Sequence, residues 1–388
     1  MNSLQHSNKQ QCVCGKLLPF HAGKGRTRRY CSDACKQREF RNRSREKRNA
    51  KHQIVYLLNS NEQVPIVQNS SSLQLLLQSG GICQGEAYDV LKTFPHNCID
   101  MVMTSPPYWG LRDYGVAGQL GLEPTFDEYI TRLCAIFDEV KRVLKDTGTC
   151  WVNIGDSYNN SGWARGKERV DKKRYHLNRM EHGRDGQKNY PDKCLAMTPF
   201  RFAIEMVNRG WILRNTIIWQ KPNILPTSVK DRFTVDFEYL FFFSNSQKYY
   251  FEQQYEPLSE AYLERAKYPR PQVRKWDEDK KRNLASYLNK YDTFTINPLG
   301  RNKRTVWSIP PKPLKGAHFA VYPPELCETP IKAGCPPGGV VLDPFMGSGT
   351  TCVVAAQLGR RSIGVELNGA YVKIAQERLA QASLLDVS

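Results

Sequence analysis

The chain has 388 residues, which is enough for a full α/β core with a small accessory module. Its formal net charge is +18, and the first 51 residues hold 14 basic against 3 acidic side chains. A surplus of this size indicates a polyanionic partner, most simply nucleic acid, because neutralising phosphates releases condensed counterions. The first residues are polar and the longest apolar run, residues 239–243, is too short to span a bilayer. We therefore expect a cytoplasmic protein without a membrane partner.

Four of the 12 cysteines form two close pairs near the N-terminus, in a segment too short to have its own core. Two pairs of thiolates suit a structural zinc ion. The first pair is spaced C-x-C, which is tight for tetrahedral zinc, so His21 or His6 could replace one thiolate. The alternative is a set of unligated cysteines in a disordered basic tail. We predict a zinc-binding basic module over residues 1–52, and its expected ligands are Cys12, Cys14, Cys31 and Cys35.

A basic helix is predicted directly after the second cysteine pair. Ser32 and Asp33 can cap its N-terminus, and Arg38 and Arg41 recur on one helical face. The segment resembles small zinc knuckles that continue into a basic helix. This face suits contact with DNA phosphates; the alternative is a merely solvated surface. Residues 53–80 turn polar and repetitive, which predicts a linker with one short helix.

A buried strand predicted over residues 98–104 ends in Ser105-Pro106-Pro107-Tyr108. Parallel sheets place ligands at the carboxyl ends of their strands. Two consecutive prolines fix φ and remove two N–H donors, so the loop is rigid and presents carbonyl oxygens. The hydroxyl and carbonyl oxygens of such a loop can accept hydrogen bonds from an exocyclic base amine and prepare its nitrogen for attack on a methyl group. Tyr108 adds an aromatic face on which another flat ring can stack.

A second motif lies near the C-terminus, where a strand over residues 340–343 exits into D-P-F-M-G-S-G-T-T. The glycines let the backbone approach a ligand, and the helix that begins near Thr350 offers free N–H groups to a carboxylate. The next strand ends in Glu366, an acid placed to bind ribose hydroxyls. A nucleotide dehydrogenase would share this strand and acid. It would not explain the Ser-Pro-Pro-Tyr loop or the missing G-x-G-x-x-G.

Together these motifs resemble those of the β group of DNA amino-methyltransferases, in which the catalytic motif precedes the cofactor loop. The resemblance covers residues 81–388. It implies an α/β, Rossmann-like S-adenosylmethionine-dependent methyltransferase sheet in permuted order, with strands from Val340 and Ser362 first and second and those from Gly81 and Cys98 third and fourth. It also implies a catalytic set, Ser105, Pro106, Pro107 and Tyr108, in which Tyr108 would stack on a base flipped out of the duplex. The implied cofactor-binding set is Glu86, His318, Phe319, Asp343, Pro344, Phe345, Gly347, Ser348, Gly349, Thr350 and Glu366.

The same resemblance organises the rest of the chain. Residues 81–249 are expected to form the catalytic half and residues 306–388 the cofactor-binding half of the methyltransferase domain, with a target-recognition region at 250–305. Within the catalytic half, the basic stretch 158–195 is expected to close over DNA, with Arg165 as one contact. Trp219 and Lys221 are expected to contact the base or its backbone, or else to be structural. Asp156 lies either at the active-site rim or in a turn cap.

The resulting hypothesis is transfer of a methyl group from S-adenosylmethionine to cytosine N4 in double-stranded DNA, with adenine N6 as the alternative. Ser-Pro-Pro-Tyr is commoner among cytosine-N4 members of the family and Asp-Pro-Pro-Tyr among adenine-N6 members. Cytosine C5 methylation is disfavoured because no Pro-Cys pair is present. Two more hypotheses stay open: a zinc-bearing DNA-binding protein with an inactive methyltransferase fold, and an RNA or protein amide methyltransferase. A cognate restriction endonuclease is a possible partner, and the oligomeric state is left open.

Overall fold

The computed structural model describes residues 55–58, 63–64, 70–110, 115–116, 118–159, 191, 193–266, 297–312 and 321–385. The chain divides into a unit of residues 1–53 with 115–119 and a unit of residues 54–114 with 120–388. Every helix and strand named below belongs to the second unit. In these ranges no helix has both the length and the apolar character needed to cross a membrane.

The helices and strands alternate in the way expected of an α/β protein. The described strands are β1 (Val55–Leu58), β2 (Gln63–Val64), β3 (Gly81–Gln84), β4 (Ile99–Thr104), β5 (Leu144–Ile154), β6 (Ile212–Gln220), β7 (Phe237–Ser244), β8 (Tyr255–Glu256), β9 (Arg301–Asn302), β10 (Val306–Ser308), β11 (Val340–Asp343) and β12 (Arg361–Glu366). The described helices are α1 (Ser70–Ser79), α2 (Ala87–Lys92), α3 (Phe126–Val143), α4 (Thr198–Asn208), α5 (Glu260–Ala266), α6 (Pro324–Gly334), α7 (Thr350–Gln357) and α8 (Gly369–Leu385).

One sheet holds ten of the described strands, in the order β10-β6-β7-β5-β4-β11-β12-β3-β1-β2. The strands from β5 through β3 are parallel, whereas β7 runs antiparallel to both β5 and β6. The order β3-β12-β11-β4 confirms the permuted arrangement predicted from the sequence. The last two parallel strands of the chain are thus the first two of the methyltransferase sheet.

The carboxyl ends of the parallel strands form one edge of the sheet, called here the carboxyl edge. At this edge β11 lies between β4 and β12, with Leu342 opposite Val102 of β4 and Asp343 opposite Gly364 of β12. After β11 the chain crosses to β12, whereas after β4 it crosses to β5, in the opposite direction along the sheet. The carboxyl edge between β4 and β11 is therefore a topological switch point, where open α/β sheets bind ligands. Both sequence motifs therefore begin at the same place.

Alternate residues of the central strands face two separate cores. In β4, Val102 packs into a core with α2, α3 and α4, whereas Met101 and Met103 pack into a second core with α6. Helix α3 begins at a Thr125 cap, whose hydroxyl accepts a hydrogen bond from the Glu128 N–H, and it buries an apolar stripe beneath a charged outer face. The sheet is thus covered on both sides, and ligands have access at its edge.

The segment 53–80 contains the one short helix predicted for it, α1, and also strands that the prediction did not include. Its strand β1 pairs antiparallel with β3, and helix α1 follows before β3 begins. This pairing covers the side of β3 that β12 leaves open, which removes an unpaired sheet edge. In the predicted target-recognition region, β8 and β9 pair in a separate two-stranded sheet, with Tyr255 opposite Asn302.

Candidate active site

The Ser-Pro-Pro-Tyr loop leaves β4 at the carboxyl edge and is held by several side chains of α3 and its approach. Tyr129 donates a hydrogen bond from its hydroxyl to the Pro107 carbonyl over 2.8 Å. The indole N–H of Trp109 donates to the Glu123 carbonyl over 2.9 Å, and its ring lies 4.0 Å from that of Phe126. Because both flanks of Tyr108 are attached to buried structure, the loop has a defined conformation before any ligand binds.

Tyr108 is oriented by a carboxylate that the sequence motifs did not identify. Its hydroxyl donates to Glu238 Oε2 over 2.6 Å, and Glu238 also forms an ion pair with Lys221. Burial, followed by the adjacent Glu238 carboxylate, holds the pKa of Tyr108 well above its ordinary value. Gly155 lies against the ring, since an added Cβ there would be 2.8 Å from Tyr108 Cε2. The phenol is therefore a neutral, positioned ring.

Asp343 joins the two motifs through its carboxylate. It is fully buried and accepts hydrogen bonds from the Thr104 hydroxyl over 2.6 Å, from the Thr351 hydroxyl over 2.7 Å and from the Phe345 N–H over 3.0 Å. The Tyr322 hydroxyl donates to the same carboxylate over 3.1 Å. Burial raises the pKa of Asp343, and these donors act in the opposite direction. Both carboxylate oxygens bind this protein's own groups, so Asp343 shapes the cofactor loop in this structure.

The loop after β11 has the form expected of a ligand cradle. Gly347 and Gly349 have φ angles of +54° and +81°, in the left-handed region that favours glycine. Gly349 is the N-cap of α7 and supplies no side-chain hydrogen bond, which leaves first-turn N–H groups for a ligand. A Cβ at Gly349 would also lie 2.9 Å from Ala375 Cβ, so α8 packs closely beneath the loop. These residues fit a small anionic group such as the methionine carboxylate.

Glu366 closes the other side of the cradle. Its carboxylate accepts hydrogen bonds from the Gly347 N–H over 2.9 Å and from the Asn368 N–H over 2.7 Å. Burial raises the pKa of Glu366 to about 7. Each carboxylate oxygen retains acceptor capacity for a ribose hydroxyl. Glu366 therefore fits a role in binding a nucleoside, and its protonation state changes near neutral pH.

Arg378 is a further residue that the sequence motifs did not indicate. It lies on α8 and donates to the Ser348 carbonyl over 2.6 Å and to the hydroxyls of Ser348 and Thr350 over 3.0 Å each. Burial lowers the pKa of its guanidinium. An arginine on the outer helix of an α/β fold carries no local sequence signal, since it is recognised only once the helix is placed against the loop.

Glu86 lies where the resemblance predicts, at the carboxyl end of β3. It caps α2 by accepting a hydrogen bond from the Asp89 N–H over 3.2 Å, and its Oε1 is 3.8 Å from Arg132 Nη2. Arg132 also pairs with Glu123 over 2.9 Å, so one guanidinium links the β3 turn to the segment that supports Tyr108. Burial is the largest influence on Glu86 and raises its pKa.

The remaining candidate residues of the catalytic half differ in their burial and in their hydrogen-bond partners. Trp219 is only 4% exposed, and its indole N–H donates to the Ile309 carbonyl, which fits the structural alternative for this residue better than contact with DNA. Lys221 is half-buried in its ion pair with Glu238. Asp156 caps the start of α4, because Oδ1 accepts hydrogen bonds from the N–H groups of Ser157 and Thr198. Its Oδ2 is buried and has no hydrogen-bond partner among the residues that the structure describes.

Several predicted site residues lie outside the described residues. Within the described ranges no group of three or more His, Cys, Asp or Glu side chains could hold a metal ion. The zinc prediction is not tested by this observation, since its ligands are not among those ranges. The predicted residues outside the described part are Cys12, Cys14, Cys31, Cys35, Arg38, Arg41, Arg165, His318 and Phe319.

The fold and the site together define a class of protein. The central order β3-β12-β11-β4-β5, the glycine loop after β11 and the acid at the end of β12 are those of a Rossmann-like S-adenosylmethionine-dependent methyltransferase. The Ser-Pro-Pro-Tyr loop after β4 narrows the class to enzymes that modify amino groups of bases.

Comparison with known proteins gives the family. The model of the DNA methylase family of N6/N4 methyltransferases matches residues 99–377. The Type II methyltransferase M.XycI of Xanthomonas campestris pv. cyanopsidis is 40% identical over 79% of this chain and 89% of that protein. The Type II methyltransferase M.SmaI of Serratia marcescens is 40% identical over 80% of this chain and 94% of that protein. The chain belongs to the N6/N4 family of S-adenosylmethionine-dependent DNA methyltransferases.

A solved structure described as the PvuII DNA methyltransferase (cytosine-N4-specific) is also similar. It aligns with a TM-score of 0.49 and 20% identity, over 78% of this chain and 90% of that chain. The family assignment rests on the sequence matches.

Proposed function

We propose that the chain methylates cytosine N4 at a specific site in double-stranded DNA. The observation that carries this proposal is the hydrogen bond between Thr104 and Asp343, which brings the Ser-Pro-Pro-Tyr loop and the glycine loop to one position on the carboxyl edge. A base amine held at the first loop and a methyl donor held at the second would meet there. The family matches support DNA as the substrate.

The residues of the loop have distinct tasks in this mechanism. The Ser105 hydroxyl and the Pro106 carbonyl accept hydrogen bonds from the amine, which directs the nitrogen lone pair toward the methyl carbon. When bound, S-adenosylmethionine supplies an electrophilic methyl group on a sulfonium. Transfer of that methyl group to the amine would leave the C–S bonding pair on sulfur, as a thioether, and the proton lost by the amine would pass to water. Tyr108 stacks on the flipped base. Its hydrogen bond to Glu238 holds the ring in position for this stacking.

The cofactor would occupy the cradle between Glu86, at the end of β3, and Glu366, at the end of β12. The first-turn N–H groups of α7 would bind its carboxylate, Glu366 its ribose hydroxyls and Glu86 its adenine side. Half-buried Phe345 offers an apolar face beside them. The arrangement of Pro344, Gly347 and Ser348 supports this role by shaping the loop.

The choice of cytosine N4 rests on serine at position 105, since the family more often has aspartate there in adenine-N6 enzymes. The test is to incubate the purified chain with S-adenosylmethionine and mixed-sequence duplex DNA, digest the DNA to nucleosides and identify the product by mass. N4-methylcytosine is expected. N6-methyladenine alone would replace the base assignment with the second candidate. No methylated nucleoside, together with no cofactor binding, would favour an inactive DNA-binding protein.

DNA contacts outside the pocket are proposed from position and charge. Lys221 adjoins the pocket through Glu238, and the basic stretch 158–195 begins directly beyond β5. The region 250–305 remains our proposed target-recognition region. Replacing it with that of a relative should change which DNA sites are methylated while the nucleoside product stays the same.

A structural zinc ion in the N-terminal module is proposed from the cysteine pairs alone. Thiolates are suitable zinc ligands in a segment too short for an apolar core. We expect one zinc per chain by elemental analysis, lost when Cys31 and Cys35 are both replaced by serine. An absence of zinc from the purified full chain would overturn this proposal.

A restriction endonuclease with the same recognition site is the proposed biological partner. The support is that the relatives named above are Type II methyltransferases. Plasmid DNA from cells that express the chain should resist an endonuclease that cleaves the mapped methylation site. Cleavage at fully methylated sites by such an endonuclease would argue against this role.

A further inference from the structure

The loop between β6 and β7, residues 221–236, lies beside the proposed active site. Its ends are joined at Gln220 and Phe237, which are opposite each other in the two antiparallel strands. Strand β7 also runs antiparallel to β5, so it begins at the edge where β5 ends. Tyr108 donates its hydroxyl hydrogen bond to Glu238, the second residue of β7. The β6–β7 loop therefore projects from the carboxyl edge, next to the Ser-Pro-Pro-Tyr loop.

This loop carries the two most exposed large apolar side chains of the described residues. Phe233 is 98% exposed and Leu225 is 89% exposed, whereas the next in order, Leu299, is 66% exposed. Single exposed apolar residues are ordinary in folded proteins. Two of them at the extreme of exposure, in one loop beside the catalytic motif, mark this loop for contact with a partner.

Phe233 is presented by a segment that is attached on both sides. The Arg232 guanidinium lies 3.3 Å from the centroid of the Tyr158 ring, and Asp231 pairs with Lys193 over 2.6 Å. On the other side, the Lys221 N–H donates to the Asp236 carbonyl over 2.7 Å. Each exposed contact is weak by itself. Together they hold the backbone near Phe233 while its ring points away from the protein.

The charge around the ring matches a nucleic acid. Lys230 and Arg232 are exposed close to Phe233, and the acid between them, Asp231, is paired with Lys193. Basic side chains next to an inserted ring can bind backbone phosphates. A protein partner would not account for a position next to the base-binding loop, so duplex DNA is the occupant that the observations favour.

Base flipping removes a stacking partner from the duplex, and an exposed aromatic ring can replace it. When a nucleotide leaves the duplex, its neighbours lose a stacking partner and a gap opens between them. Apolar side chains inserted between base steps stabilise such distorted DNA, and an aromatic ring stacks on any base without sequence preference. We propose that Phe233 enters the duplex in the space that the target base leaves, as a positioning residue. This inference rests on the proposed function as a DNA methyltransferase.

The test compares paired and unpaired targets. The methylated site is first mapped on plasmid DNA treated with the wild-type protein. Single-turnover methylation is then measured on two oligonucleotide duplexes of that site, one fully paired and one with an abasic position opposite the target base. The proteins compared are the wild type, Phe233→Ala, Phe233→Trp, Leu225→Ala and, as a control exposed apolar residue on α4, Ile204→Ala.

We expect Phe233→Ala to be about 5-fold to 100-fold slower than the wild type on the paired duplex, the size of one lost aromatic–base stack. On the abasic duplex it should be within about twofold of the wild type, because an unpaired base is easier to flip. Phe233→Trp should restore the rate on the paired duplex, and Ile204→Ala should match the wild type. Unfolding midpoints should agree for all variants.

Different results would overturn the inference. Equal slowing of Phe233→Ala on both duplexes would show a role in binding or structure, and no slowing would show that the ring is unused. A slowing found only in Leu225→Ala would mean that the inference names the wrong residue. If the wild type methylates no DNA at all, the proposed function fails before any variant is compared, so the two failures are distinguishable.

Discussion

The hydroxyl of Thr104 donates a hydrogen bond to the carboxylate of Asp343 over 2.6 Å, and both residues are fully buried. Thr104 is the last residue of β4 and Asp343 the last residue of β11. The bond thus joins the start of the proposed base-binding loop to the start of the cofactor loop, although the two residues are 239 positions apart. It makes the geometry of one loop depend on the other.

Replacing Thr104 with valine should weaken both the fold and the cofactor site. The change keeps the shape but removes a donor to a buried carboxylate, which costs about 1.5–3 kcal/mol of unfolding free energy. Denaturant unfolding and calorimetric titration with the cofactor measure the two effects. Thr149→Val is the matched control, because that buried hydroxyl donates to the Gly334 carbonyl away from the carboxyl edge. It should lose stability without losing cofactor affinity; equal affinity losses would refute the link.

Ser105→Ala should slow the chemical step without weakening cofactor binding. The serine hydroxyl is proposed to accept a hydrogen bond from the reacting amine, and loss of one such group should lower kcat by about 10-fold to 100-fold. Single-turnover methylation measures the rate, and titration with the cofactor measures its Kd. An unchanged rate would remove Ser105 from the mechanism.

Gly155→Ala should displace the Tyr108 ring. The added Cβ would lie 2.8 Å from Tyr108 Cε2 and 3.3 Å from Glu238 Cγ, so the ring must shift. We expect kcat/KM for DNA to fall about tenfold or more, because small displacements of a positioning group are costly. The Kd for the cofactor should not change. Combining Gly155→Ala with Tyr108→Ala should cost no more than Tyr108→Ala alone; additive losses would contradict this explanation.

Arg378→Met should raise the KM for the cofactor by about tenfold and leave kcat within about twofold. The substitution removes the donor to the Ser348 carbonyl and to two hydroxyls, which frees the glycine loop at a cost of about 1–3 kcal/mol. Arg378→Lys should be intermediate, since it keeps one charged donor. Arg361→Met is the control, because Arg361 donates to the carbonyls of Gly338 and Leu77 at the opposite edge. A larger fall in kcat than rise in KM would contradict a role in holding the loop.

Cofactor affinity should rise with pH through neutrality. The pKa of Glu366 is raised to about 7, so the free protein carries it protonated below that pH and ionised above it. Ribose hydroxyls bind the ionised form better, and the affinity should increase about tenfold between pH 6 and pH 8. Glu366→Gln should bind more weakly and with a flat profile. The same raised pKa predicts the opposite trend for folding, since protons retained by the folded state between about pH 4.5 and 7 make its stability fall as pH rises there.

Much of the fold could be predicted from local patterns. The apolar run of β4, the helical spacing of α3 and the glycine loop after β11 lie where the sequence indicates, because each depends on residues close together in the chain. The permuted strand order also follows from the motif order. Strand β1 was missed, since four residues in a polar stretch carry too little periodicity to be distinguished from a linker.

The loops of the site could be predicted from the sequence, whereas the side chains that hold these loops in place could not. Ser105, Gly347 and Glu366 all come to the carboxyl edge as expected. In contrast, Trp219 is in the second core, and Glu238 rather than a neighbouring sequence motif orients Tyr108. Near the end of a strand, the local sequence pattern does not distinguish a buried side chain from an exposed one. The burial of Trp219 therefore became clear only from how the strands and helices pack.

The amino-acid sequence by itself therefore determined the family, the two loops and the chemistry they suggest, since these depend on short strings of residues with special backbone properties. Tertiary structure alone decided that Asp343 joins the loops, that Arg378 supports the glycine loop from α8 and that Phe233 points outward beside the active site. Each of these depends on contacts, or on their absence, between segments far apart in the chain. Such relationships arise only when the sheet brings the strand ends together.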